Sequence, residues 1–158
     1  MALITSYLFG MEPVHLNDFV DSKSEVLSSS WTLRGVPGKR YGAKDVYVLT
    51  SSKTFSAAEE FAYNLRNLNR ATLIGERTGG GANPVSMFQL GHSFTAMIST
   101  AQARNPISGT NWERIGVEPH VEVPAEQALE TAYKTALAKL QRTADPAREQ
   151  AKVAALQD

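Results

Sequence analysis

The segment from Val46 to Gly75 constrains this chain more than any other. Val46-Tyr47-Val48-Leu49-Thr50 is a short β-branched apolar run of the kind found in buried parallel strands. Ser56 to Leu68 then shows helical periodicity. Ala58, Phe61, Ala62, Leu65 and Leu68 fall on one face, and Glu59, Glu60, Asn64, Arg66 and Asn67 on the other. Ala71-Thr72-Leu73-Ile74-Gly75 is a second buried strand. Two such strands around one amphipathic helix predict a right-handed βαβ crossover, and with it an α/β fold.

The flanks add elements of both kinds. An apolar start with residues 4, 7 and 8 at helical spacing suits the end of a helix stopped by Gly10. Because no N-cap precedes it, the chain reads as one cut into mid-element. Residues 13–33 predict two strands around the polar turn Asp21-Ser22-Lys23-Ser24, and Gly35, Pro37 and Gly38 mark the next stretch as a loop. Its basic residues Arg34, Lys39, Arg40 and Lys44 suggest a solvated loop, or less readily a carboxylate site. Val85–Leu90 and Phe94–Thr100 predict a hairpin around Gly91 and His92, and Val121–Val123 an edge strand ended by Pro124. Helical spacing runs from Ala125 to Leu140 with Ala128, Leu129, Ala132, Tyr133, Ala136, Leu137 and Leu140 on one broad face, and Asp145-Pro146 suits a further helix start. The expected division is therefore a domain over 1–142 and a helical tail over 143–158.

Composition removes several classes. Sixteen basic and sixteen acidic side chains leave no excess to neutralise phosphates, so nucleic acid is not an expected partner. The absence of cysteine excludes a disulfide framework, a thiolate metal site and a cysteine nucleophile. No run approaches the roughly 20 apolar residues of a membrane span, and the start lacks the cationic leader of a signal peptide. Localisation is left open. His15, His92 and His120 do not share metal-ligand spacing, so neither a metal nor another cofactor is expected.

The candidate chemistry lies where the first strand enters the helix. Ser56 followed by Glu59 fits a capping box, in which serine and acid exchange hydrogen bonds. It equally fits a nucleophile at a helix N-terminus, where main-chain N–H groups stabilise an oxyanion. The N–H of Ala57 is then one donor. The two roles are compatible, since Glu59 can brace the helix while Ser56 reacts. Gly79-Gly80-Gly81-Ala82 permits close main-chain approach, and an extended peptide pairing there by β-addition is expected.

Three segments occur together in order: Thr54-Phe55-Ser56-Ala57-Ala58-Glu59-Glu60-Phe61-Ala62, Leu73-Ile74-Gly75-Glu76-Arg77-Thr78-Gly79-Gly80-Gly81-Ala82, and Asn111-Trp112-Glu113-Arg114-Ile115-Gly116-Val117-Glu118-Pro119. From about residue 1 to 140 the chain resembles the tail-specific (C-terminal processing) serine peptidases, in the branch of interphotoreceptor retinoid-binding protein and the tricorn core. The resemblance implies a crotonase- or ClpP-like spiral fold, a polypeptide substrate and an acyl-enzyme on Ser56. It also implies that Ala57 supplies half of the oxyanion hole, and that Phe55, Gly79, Gly80 and Gly81 line the substrate cleft. In the processing-peptidase branch a lysine of the glycine loop is the general base. Gly81 stands at that position, so a Ser/Lys dyad is excluded. Glu113 resembles a glutamate that supports a histidine base in the tricorn-like branch, with a carboxylate anchoring a loop as the equal alternative. The family's histidine and second oxyanion donor lie upstream of the segments found here. The expected partners are thus a missing N-terminal half of the domain and, through exposed strands, a second copy. The alternative is a non-catalytic binder of retinoid- or fatty-acid-like ligands.

Overall fold

The computed structural model describes the main chain of residues 1–154 and the side chains of residues 1–141. In chain order the elements are α1 (Ala2–Ser6), β1 (His15–Val20), β2 (Val26–Trp31), β3 (Tyr47–Thr50), α2 (Ala57–Asn67) and β4 (Thr72–Gly75). Then come β5 (Val85–Leu90), β6 (Phe94–Ser99), β7 (Gln102–Arg104), β8 (Val121–Glu122) and α3 (Ala125–Ala154).

The predicted βαβ unit forms. β3 and β4 pair in parallel from Tyr47 with Thr72 to Thr50 with Gly75, and β8 joins the other edge of β4 through Ile74 and Val121. Neighbouring residues of a strand point to opposite faces, and the two cores of the molecule follow from that. Leu73 packs with Ala62 and Leu65 of α2, Ala71, Ala82, Ala103, Trp112 and Val117. Ile74, on the other face, packs with Ala128 and Ala132 of α3. The small sheet is therefore sandwiched between two helices. Gly75 makes its end possible: with φ +136°, a Cβ there would lie 2.0 Å from the Thr50 carbonyl oxygen.

A second, antiparallel sheet has the order β2-β1-β7. Its turn is set by Asp21, whose Oδ1 accepts from the N–H groups of Lys23 and Glu25 at 2.8 and 2.9 Å. The polar stretch containing β7 gives no strand signal, yet Gln102–Arg104 pairs with Asp18–Val20. The basic loop is largely solvated, with Arg34, Lys39 and Lys44 exposed, and Arg40 is the exception. Arg40 donates to the carbonyls of Ser6, Phe9, Leu33 and Arg34 and so fastens the loop to α1. Arg70 ties the end of the α2–β4 connection to Leu8 and Tyr41 in the same way.

Two expectations change. α3 runs unbroken across Asp145 and Pro146, where a new helix start is expected, and residues 155–158 of that tail lie outside the described residues. Its apolar face is also narrower than the spacing implies. Ala128 and Ala132 are buried, while Leu129, Tyr133 and Leu140 are exposed because only the small residues sit close enough to the sheet. The expected β5–β6 hairpin forms, pairing Val85 with Ser99 through Leu90 with Phe94, and stands as a separate two-stranded sheet.

Candidate active site

β3 ends at Thr50, and after six intervening residues the chain enters α2 at Ala57. The turn between them is held from three sides. Thr54 N–H donates to the Ser51 carbonyl, the Thr54 hydroxyl accepts from Ser51 N–H at 3.0 Å, and Ser52 N–H donates to Glu76 Oε2 at 2.9 Å. The bonding to Ser52 first, and a bond from Ala125 N–H after it, hold the Glu76 carboxyl below its ordinary range. Glu76 Oε1 also accepts from Ala125 N–H, so one side chain links the turn to the start of α3.

Ser56 caps α2 with φ +56° and ψ −123°. Positive φ is uncommon outside glycine and costs of order 1–3 kcal/mol unless the surroundings impose it. Ser56 and Glu59 are placed as a capping box, and its hydrogen bond runs from Ser56 N–H to Glu59 Oε2 at 2.8 Å. Both halves of the box are in place, and Ser56 stands exposed beside the exposed Ala57. The N–H of Ala57 belongs to the first turn, whose donors have no partner within the helix.

Glu59, assigned by its spacing to the polar face of α2, is completely buried. Besides Ser56 it accepts from Thr78 Oγ1, from Gly80 N–H at 2.7 Å and from Gly81 N–H at 2.9 Å. The packing of the glycine loop over the helix start buries it. Glu113 does the same one step further on, its Oε2 accepting from Ala82 and Asn83 N–H at 2.8 and 2.9 Å. It is a loop-anchoring carboxylate. Trp112 completes the clamp, donating from Nε1 to the Gly81 carbonyl at 3.1 Å.

This network bears on peptide pairing at the glycine loop. Gly79 N–H already donates to the Thr54 carbonyl, and those of Gly80, Gly81, Ala82 and Asn83 go to the two carboxylates. The expected β-addition finds these donors occupied, because the carboxylates of Glu59 and Glu113 compete for them at short range. What the loop offers instead is shape. The Phe55 ring lies against Gly79 and Gly81, where a Cβ would approach it to 2.9 and 2.1 Å, and the ring is still 59% exposed.

The histidines lie apart from this network. His15 Nε2 meets Asp18 Oδ1 at 2.8 Å and its ring stacks on Trp31. His120 Nδ1 accepts from Leu73 N–H at 2.9 Å, and burial with the nearby Arg66 lowers its pKa below the ordinary histidine value. His92 is exposed in the hairpin turn. Of the residues expected at the site, Phe55 lies against Gly79 and Gly81, and Ser56 is linked to Gly81 through Glu59. Sequence reasoning misses Glu76 and Thr78, for which the sequence holds no spacing signal, and it sees only the helical half of the role of Glu59.

The sequence pattern of peptidase family S41 matches residues 6–123. A carboxy-terminal-processing protease of Bartonella bacilliformis is 34% identical over 91 residues, 58% of this chain and 20% of that protein. Among solved structures, a photosystem II D1 C-terminal processing protease superposes with a TM-score of 0.63 at 22% identity, over 79% of this chain and 31% of the other. Mature CPAF in complex with lactacystin gives 0.60 at 16% identity, over 91% and 41%. The chain thus spans about a fifth of the Bartonella protein and less than half of either solved chain. With the family pattern covering most of its length, and the α/β architecture shared with these structures, the chain belongs to peptidase family S41, the tail-specific peptidases.

Proposed function

We propose that this chain is the nucleophile-bearing part of a serine-type peptidase that cleaves unfolded or C-terminal segments of polypeptides. Ser56 Oγ attacks the scissile carbonyl, its proton passes to a general base, and the amine leaves from an acyl-enzyme that water then hydrolyses. The Ala57 N–H faces the oxyanion as one donor. Phe55 and the glycine loop at Gly79, Gly80 and Gly81 line the cleft by shape. Glu113 supports the base indirectly by fixing the loop. The base itself and the second oxyanion donor come from a polypeptide segment beyond these residues, the complementing half of the domain. Without it the chain is inactive or weak, since a general base contributes about 10²–10⁴ in rate.

The observation that carries this reading is Ser56: an exposed serine at positive φ on a helix N-terminus, with the neighbouring carboxylate bonded to its main chain and not to its oxygen. A fluorophosphonate probe tests it. The serine oxygen forms a bond to phosphorus, fluoride leaves, and added imidazole accepts the proton in place of the absent base. Labelling at Ser56 is expected to accelerate with imidazole concentration and to vanish in Ser56→Ala. Cooperatively folded protein that never labels refutes the assignment. One observation favours the second reading, a binder of retinoid- or fatty-acid-like ligands. A surface pocket of about 490 Å³, lined by Tyr41, Tyr47 and Leu140 with the charged Lys44, Asp45 and Lys139 beside them, is of ligand size. Saturable retinol fluorescence that survives Ser56→Ala, with no labelling, would select it.

A further inference from the structure

We propose that Glu59 is the positioning residue of this site, a single carboxylate that sets the Ser56 main chain and the glycine loop as one unit. The inference rests on the reading of Ser56 as the nucleophile. A helix cap needs one hydrogen bond from the acid and leaves the rest of the carboxylate to water. Glu59 has no exposure to solvent. A buried carboxylate is costly unless its lone pairs are met, and here they are met by groups that belong to the site. Oε2 joins Ser56 N–H to Gly81 N–H, and Oε1 joins the Thr78 hydroxyl to Gly80 N–H.

Oε2 therefore bridges two segments that are distant in sequence, while Oε1 holds two further points of the glycine loop. A carboxylate offers about four acceptor positions, and all are used. Thr78 Oγ1 extends the chain of bonds by accepting from Val117 N–H at 2.7 Å. Ser56, in a main-chain conformation that needs support, is one oxygen atom away from Gly81. A shift of the loop is a shift of the nucleophile. Glu59 meets the main-chain N–H of Ser56 and acts through it, so it is not the base.

The experiment measures fluorophosphonate labelling in imidazole together with amide exchange. Glu59→Gln keeps size and one acceptor oxygen, but its amide nitrogen cannot accept from two N–H groups. Its maximal labelling rate constant is expected to fall about 10²-fold, the cost of misplacing a reacting group. The half-saturating probe concentration should change less than twofold, and the labelled end-point should not change. Exchange at Ser56, Gly80 and Gly81 should accelerate together, with Ala82 and Asn83 unaffected. Glu113→Gln should give the reverse exchange pattern. A wild-type labelling rate in Glu59→Gln, or amides that stay protected, overturns the proposal. So does a lower end-point at unchanged rate, which reports only a smaller folded fraction. If Glu59→Gln does not melt cooperatively, Glu59→Asp, charged but one methylene shorter, is read by the same criteria. Wild-type protein that never labels overturns the nucleophile reading and the positioning role with it. Normal wild-type labelling beside an unaffected Glu59 variant overturns the positioning role alone.

Discussion

Single residues decide whether the edge that carries the candidate site can be built. Gly75 sits where β4 passes the end of β3, and an added Cβ meets main chain, which cannot step aside as a side chain can. Gly75→Ala is expected to cost about 3 kcal/mol, combining overpacking with a φ of +136° that alanine resists. Urea unfolding measures it, and a loss under 1 kcal/mol would show that the two strands separate easily. At this scale the sequence is only partly legible. Ser56 and Ala57 stand out because a helix start advertises itself locally. The burial of Glu59 does not, since it depends on a loop some twenty residues away closing over the helix.

Among the elements, α/β alternation and the βαβ unit are readable because burial on both faces of β3 and β4 leaves uninterrupted apolar runs. β7 is not, because three residues of mixed polarity carry no period and are recruited only by β1. The junction of the β3–α2 turn with α3 is likewise invisible, as it hangs on Glu76 alone. Its folded carboxyl pKa lies below the ordinary 4.5. A depressed acid adds stability that is present above the unfolded pKa and lost as pH falls through the folded one. Thermal melts from pH 7 to pH 3 should show Glu76→Gln with a shallower acid limb than the parent protein. Parallel limbs would mean that the bonds to Ser52 and Ala125 contribute nothing.

The whole molecule carries its least settled surface on the hairpin. Met87, Phe94 and Met97 are 76%, 74% and 68% exposed, and no charged residue lies between Asn83 and Ala103. Replacing these three by lysine is expected to reduce dye binding by exposed apolar surface, and any self-association seen by sedimentation, while the melting temperature stays within a few degrees. A large drop in that temperature would place the hairpin inside the cooperative core. The contact between Phe55 and Gly81 has a different reach. Phenyl carbon fills the volume that an amine-bearing side chain at position 81 would have to cross. A lysine introduced at position 81 therefore has to swing the exposed Phe55 ring aside, so the residue preceding Ser56 gates what the loop can project into the cleft.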